Sequence, residues 1–167
     1  MNVKVESNHQ EKGKQMPTVS ARPALIDDLP AIIGLLADDV LGQGRENIGP
    51  SLPSDYFDAF EAIDDDPNQV FVAFEDEGVI IGCLQLSFIP GLSRQGAWRG
   101  QIESVRISSE RRGAGLGQEM ISWAIDTCRE RGCRIIQLTS DKARKDAAEF
   151  YHALGFVASH EGFKQTI

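Results

Sequence analysis

At 167 residues, 41% hydrophobic and 25% charged, the chain has the size and balance of a soluble globular domain with a substantial core. A formal net charge of −8 argues against a general nucleic-acid binder, which needs a basic face against phosphate, and leaves a cationic small substrate or simple solubility as readings. No apolar run approaches the ~18 residues of a membrane span, and the polar start, MNVKVESNHQEKGKQMP, lacks the apolar core of a secretory signal. The expectation is a cytoplasmic chain off the membrane, with a disordered tail over 1–17 and one domain over 18–167.

In chain order, Thr18–Arg22 reads as a short strand. Asp27 and Asp28 can cap a helix from near Leu29, with Pro30 in its first turn, where a missing N–H is tolerated. Leu29, Ile32, Ile33, Leu36 and Val40 fall at helical spacing and predict a buried face. Leu41–Pro53 is a glycine- and proline-containing loop, equally a plain connector or a lid over an acceptor site. Ser54 opens a second helix with Phe57 and Phe60 on its apolar face, ended by Asp64–Pro67. Gln69–Phe74 and Val79–Ile89 read as a hairpin turned at Glu75–Gly78. Pro90–Gly100 is a loop carrying Arg94, Trp98 and Arg99, and Gln101–Ser108 is the next strand. Alternation there puts Gln101, Glu103, Val105 and Ile107 on one face.

Leu116, Met120, Ile121, Ala124, Ile125 and Cys128 form a helical stripe, and Gly132 breaks the helix. Cys133–Thr139 is a strand. Lys145–Leu154 is a last helix that presents Ala147, Phe150, Tyr151 and Leu154 together and stops at Gly155. Phe156–Ser159, with Phe163–Thr166, reads as a final strand. The class is α/β (α+β), a mixed sheet flanked by helices in the order β-α-α-β-β-β-α-β-α-β. Cys83, Cys128 and Cys133 match no paired zinc spacing and His9, His152 and His160 are scattered, so buried reduced thiols and no metal site are expected.

The chemistry concentrates in Gln101–Gly117, QIESVRISSERRGAGLG, a strand leading through a glycine turn into a helix. A helix N-terminus offers unpaired N–H groups and partial positive charge, and glycines let a phosphate approach the main chain. Walker A is absent, and glycines at 113, 115 and 117 do not make G-x-G-x-x-G. The adjacent pair Arg111–Arg112 favours a pyrophosphate over a bare tight turn.

Arg112-Gly113-Ala114-Gly115-Leu116-Gly117, an R-x-x-G-x-G string after a V-x-I strand, resembles the acetyl-CoA signature of the GNAT superfamily of N-acetyltransferases. AAEFYHALGF resembles that superfamily's helix motif ending F-Y-x-x-x-G-F, and the element order also matches. The resemblance covers Thr18 to the C-terminus. It implies a splay between the Gln101–Ser108 and Cys133–Thr139 strands that takes acetyl-CoA as cosubstrate. Val105, Arg106 and Ile107 would run beside the pantetheine arm, with the backbone of Val105 and Ile107 pairing to it, and the amides of Arg112 to Gly117 would hold the pyrophosphate. Arg144 and Lys145 would reach the nucleotide end or form a solvated basic face. Arg144 stands where many members carry Asn, a departure that touches the cofactor contact rather than the activity.

Attack on a thioester needs a neutral amine, and an alkylammonium has a pKa of about 10. Glu103 is the candidate base, directly or through water, in a strand expected to be buried. Pairing with Arg99 or Arg106 is its structural alternative. The N–H near Val105 suits the oxyanion. Tyr151 matches the superfamily's helix tyrosine and would protonate the leaving thiolate; a core tyrosine is the alternative. The run Leu138–Thr166 resembles small bacterial members acting on small amines, including aminoalkylphosphonate acetyltransferases, through Ser159, His160, Phe163 and Lys164. Arg94, Arg99 or Arg106 would then pair with an acidic group on the substrate. A peptide or protein N-acetyltransferase, an acetyl-CoA sensor without turnover and a different nucleotide binder stay open, and the resemblance is compatible with a homodimer.

Overall fold

Short apolar-rich segments build a five-stranded sheet in the order β1-β2-β3-β4-β5. The computed structural model describes residues 19–38 and 42–167. The expected tail over 1–17, Thr18 and Val40 lie outside the described residues. β1 (Ser20–Pro23) pairs antiparallel with β2 (Gln69–Asp76), which pairs antiparallel with β3 (Val79–Ile89). Only Glu77 and Gly78 turn that hairpin, both left-handed at φ 50° and 79°, a geometry whose twist suits paired strands. β4 (Arg99–Ile107) pairs antiparallel with β3, and β5 (Ile135–Leu138) pairs parallel with β4.

Helices cover both faces. α1 (Leu29–Ala37) carries Pro at its start and buries Leu29, Ile32, Ile33 and Leu35. Just before it, Asp28 accepts the Leu25 N–H at 2.7 Å and Arg22 at 2.6 Å, fixing the junction from β1. α2 (Ser54–Asp64) buries Phe60. Together these helices close a core over Ala73 and Cys83. α3 (Ser93–Gly96) is a short turn. α4 (Leu116–Glu130) closes the larger core, with Met120, Ile121 and Ala124 against Leu84, Leu86 and Ile102. It lies close to the sheet because Gly82 and Gly100 face it: a Cβ at Gly82 would come within 2.9 Å of Met120 Sδ, and one at Gly100 would collide with Cys128 Sγ. α5 (Lys145–Ala153) packs Phe150 and Tyr151 against the same core.

The expected final strand does not form among the described residues; β5 is the last. The main chain after Gly155 is used locally instead. The Phe156 carbonyl lies 3.0 Å from His152 Nδ1, and Ser159 donates to the Val157 carbonyl at 2.9 Å, which bends the chain away from an extended course. Side chains from Val157 onward are exposed, so no apolar face drives it onto the edge of β5.

Candidate active site

β4 and β5 pair only from Arg99–Ile135 to Ile102–Leu138. Beyond Leu138 the chain turns through Asp141, whose carbonyl accepts Arg144 N–H at 2.9 Å. The outer edge of β4 from Glu103 to Ile107 therefore runs without a strand partner among the described residues. On its inner side Gln85 opposes Glu103 and Cys83 opposes Arg106, so Ser104 and Val105 together face the single residue Leu84. Ser104 adopts φ 55° to make this bulge.

The bulge overturns the expectation that Gln101, Glu103, Val105 and Ile107 share a face. An extra residue shifts the alternation by one. Val105 and Ile107 pack with Ile102 toward α4, while Gln101 and Glu103 look to the opposite side, where α1 and α2 lie. Glu103 is exposed rather than buried. Arg99 makes no ion pair among the described residues, and its buried Nε has no hydrogen-bond partner there.

The main chain of the same segment alternates too. Ser108 donates to the Ile81 carbonyl at 2.9 Å and Arg106 pairs with Cys83, which turns the Val105 and Ile107 peptide groups outward. Two arginines reach those outward carbonyls: Arg106 Nη1 donates to Val105 O at 2.8 Å, and Arg112 Nε to Ile107 O at 3.1 Å.

After β4 the chain passes through Gly113 (φ 79°) and Gly115 (φ 88°) into α4. The N–H groups of Gly113, Ala114, Gly115, Leu116 and Gly117 have no main-chain partner among the described residues, while Gln118 and Glu119 donate back to Gly115 O at 3.0 and 3.2 Å. The result is an open row of donors at the positive end of a 15-residue helix, suited to an anion. Gly117 has a different cause from its neighbours. A Cβ there would meet Ile107 Cδ1 at 3.1 Å and Phe150 Cζ at 3.2 Å, so this glycine serves the packing of α4 on β4 and α5.

The side chains of Arg111 and Arg112 do not form the cationic pair that their adjacency suggests. Arg111 bonds Asp76 at 2.6 Å, and Arg112 Nη2 bonds the Asp38 carbonyl at 2.6 Å and carboxylate at 3.2 Å. Asp38 Oδ2 also accepts the Ser109 N–H at 2.7 Å. The loop thus takes its place from anchors on β2 and at the end of α1. Asp38, Gln43, Ile48 and Ser109 help line a cleft of about 450 Å³ beside it, to which the 42–53 segment contributes.

Tyr151 is half-buried on α5, with its ring edge-on to Phe150 at 5.2 Å and Phe156 at 5.8 Å. Burial raises its hydroxyl above the usual tyrosine value, while the positive charges of Arg106 and Arg144 pull the other way. The hydroxyl thus keeps its proton at neutral pH. Arg144 is half-buried at the start of α5 and acts on Tyr151. The thiols are poor nucleophiles: burial pushes Cys83 and Cys128 up to about 12, and Cys133 is raised by the same cause. No group of three possible metal ligands occurs among the described residues, and no helix there is long and apolar enough to cross a membrane.

Comparison with known proteins bears on the same segment. The model of the acetyltransferase (GNAT) family matches residues 38–156, from the Asp38 anchor through the glycine loop to the end of the Tyr151 motif. The chain belongs to the GNAT family. It is an acyltransferase of the N-acetyltransferase kind. It is 26% identical over 153 residues to an aminoalkylphosphonate N-acetyltransferase of Salmonella typhimurium, covering 91% of this chain and 94% of that one. A glucosamine 6-phosphate N-acetyltransferase of Trypanosoma brucei brucei is 38% identical over 85 residues, covering 50% of this chain and 54% of its own length. Among solved structures, one described as a transcriptional regulator from Bacillus halodurans superposes with a TM-score of 0.87 at 46% identity, covering 89% of this chain and 99% of that one.

Sequence reasoning missed the bulge, the Asp38 and Asp76 anchors and the amide-bearing face around Glu103. The first has no signal, because Ser104 is not a residue that announces a left-handed backbone. The third had one: Gln85 and Gln137 interrupt largely apolar strands, and Gln101 stands two residues before Glu103.

Proposed function

We propose that this GNAT protein moves the acetyl group of acetyl-CoA to the primary amine of a small molecule by direct attack in a ternary complex. One observation carries the reading: β4 runs on past the end of β5 with the Val105 and Ile107 peptide groups turned outward, their carbonyls held by Arg106 and Arg112, and leads directly into a row of N–H donors without main-chain partners among the described residues. That continuity matches a long cosubstrate with an amide-bearing arm and a pyrophosphate. The arm adds to the Val105–Ile107 edge as a strand would, and Arg112 to Gly117 take the pyrophosphate on main-chain N–H groups, with Arg144 toward the nucleotide end.

Glu103 accepts a proton from the ammonium, directly or through water. The amine nitrogen then bonds to the acetyl carbon, the Val105 N–H stabilises the oxyanion, the C–S bond breaks as Tyr151 protonates the departing thiolate, and the nitrogen's surplus proton passes to water or to the phenolate to leave the neutral amide. The raised hydroxyl of Tyr151 suits an acid, and Arg106 and Arg144 favour the phenolate it leaves behind. Thiols held protonated by burial support direct transfer over an acetyl-cysteine.

The test is calorimetry followed by thiol release. Acetyl-CoA is expected to bind, and ATP and NAD are not. Free thiol is then read with 2-aminoethylphosphonate, amino sugars with and without phosphate, simple alkylamines and a peptide. Binding of ATP or NAD without acetyl-CoA overturns the cofactor. Acetyl-CoA binding with no thiol release from any amine favours a sensor, and release with the peptide alone favours a peptide acetyltransferase.

A further inference from the structure

Strand register brings a set of amides level on the face that carries Glu103. Gln69 stands opposite Ser87, Ser87 opposite Gln101, and Gln101 opposite Gln137, a row across β2, β3, β4 and β5. One step along, Gln85 stands opposite Glu103. Directly opposed residues share a face. The other face at the same levels is apolar, with Leu86, Ile102 and Leu138 in one row and Phe88, Gly100 and Ile136 in the next.

The amides form two hydrogen-bonded groups, one across β2 and β3 and one across β4 and β5. Gln85 Nε2 donates to Gln69 Oε1 at 2.9 Å, Ser87 Oγ to the same oxygen at 3.3 Å, and Gln137 Nε2 to Gln101 Oε1 at 2.7 Å. Asp66 holds the β2 end by accepting Gln69 Nε2 at 3.1 Å. Gln69, Gln85, Ser87 and Gln101 are half-buried, and Glu103 and Gln137 are exposed. The Oε1 atoms of Gln85 and Gln137 accept no hydrogen bond among the described residues.

We infer that this row recognises the body of the acceptor, and that the acceptor is a hydroxyl-bearing primary amine of the amino-sugar class. The inference rests on the reading that the Glu103 face receives the amine, and it adds what is attached to that amine. An amide side chain presents donors and an acceptor together, the pairing that a hydroxyl needs. An apolar body would dehydrate these amides and return nothing, and a site built to hydrogen-bond its substrate rejects such an analogue strongly. Gln85 Oε1 beside Glu103 supplies a second acceptor for the ammonium. The row crosses three strand spacings, about 14 Å, enough for a sugar ring with room for substituents. A peptide would instead seek exposed main-chain groups, and this surface offers side chains.

Thiol release with glucosamine and cyclohexylamine tests this, because both carry one amine on a six-membered ring and only one carries hydroxyls. In Gln101→Leu and Gln137→Leu, kcat/KM for glucosamine is expected to fall about tenfold, the effect of one lost hydrogen bond, and that for cyclohexylamine to change less than about twofold. The basicity difference between the amines cancels in each variant-to-wild-type ratio. Unchanged acetyl-CoA affinity certifies the fold, and Gln137, exposed on β5, keeps the test open if Leu at 101 disturbs packing. Equal losses for both amines, or turnover of cyclohexylamine or a peptide but not of glucosamine, overturn the inference while leaving acetyl transfer intact. Acetyl-CoA binding without thiol release from any amine fails the transfer reading itself, and this inference with it.

Discussion

Glu103 and Tyr151 stand on different elements and in different surroundings, and the proposed reaction asks opposite things of them. Glu103 is exposed on β4, so in the proposed reaction it meets an incoming ammonium in water. Its contribution should depend on pH. Glu103→Gln is expected to lower turnover by about 10²-fold near neutrality, with the deficit shrinking as pH climbs toward the amine's own pKa of about 10. A parallel pH–rate profile in the variant would remove Glu103 as the base. Tyr151 is half-buried and its hydroxyl is raised by that burial, so the acid form persists past the usual tyrosine range and its loss should appear only at strongly alkaline pH. Tyr151→Phe keeps the ring contacts with Phe150 and Phe156 while removing the proton, so turnover should drop by about 10- to 100-fold with acetyl-CoA affinity near normal. Weakened acetyl-CoA binding together with a lower melting temperature would make Tyr151 a core residue instead.

The elements that could be read from sequence are those whose pattern is local. The stripe on α4, the hairpin of β2 and β3, and the Lys145 start of α5 all follow from spacing within a few turns or strand steps. What stayed hidden depends on distant partners. Arg112 meets Asp38 across 74 residues, so a basic pair that reads as phosphate-binding in sequence is an anchor in the fold. The Ser104 bulge leaves no trace because only pairing with β3 reveals the extra residue, yet it decides which side chains of β4 share the face of Gln101 and Glu103. The final strand failed for a related reason: local bonds at Phe156 and Ser159 outcompete a sheet edge that alternation alone cannot weigh. The Asp38 anchor has a measurable consequence. Its carboxylate holds Ser109 and Arg112, and Arg112 in turn holds the Ile107 carbonyl. The Arg112–Asp38 pair is itself substantially exposed and adds little to global stability. Asp38→Ala should therefore weaken acetyl-CoA about three- to tenfold by calorimetry while the urea midpoint barely moves. Unchanged affinity would show that the loop holds its shape without α1.

At the scale of the molecule, the sheet is unevenly joined. β3 meets β2 and β4 along most of its length, but β5 is tied to β4 over four residue pairs, where β5 ends and β4 runs on. The β5–α5 part also keeps Tyr151, Phe150 and Phe156 only partly buried, whereas Met120, Ile121, Leu84 and Leu86 at the centre are fully buried. Local opening free energies follow buried contacts and protected hydrogen bonds, so β5 and α5 should open before β2 and β3. A cosubstrate lying along the β4 edge and held by the loop before α4 would join the two parts and suppress that opening. Amide exchange in Ile135–Leu138 and α5 is thus expected to be fast in the free protein and to slow when acetyl-CoA is added. At about 100 times its dissociation constant, acetyl-CoA should add about 2.7 kcal/mol, which for a chain of this size is a rise of about 5–10 °C in melting temperature. The pattern is as informative as the size. If protection spread evenly over β1 to β3, or settled on the 42–53 cleft while β5 exchanged as before, the cosubstrate would lie elsewhere, and the free edge of β4 would be a structural accident of its bulge rather than the bed of the thioester arm.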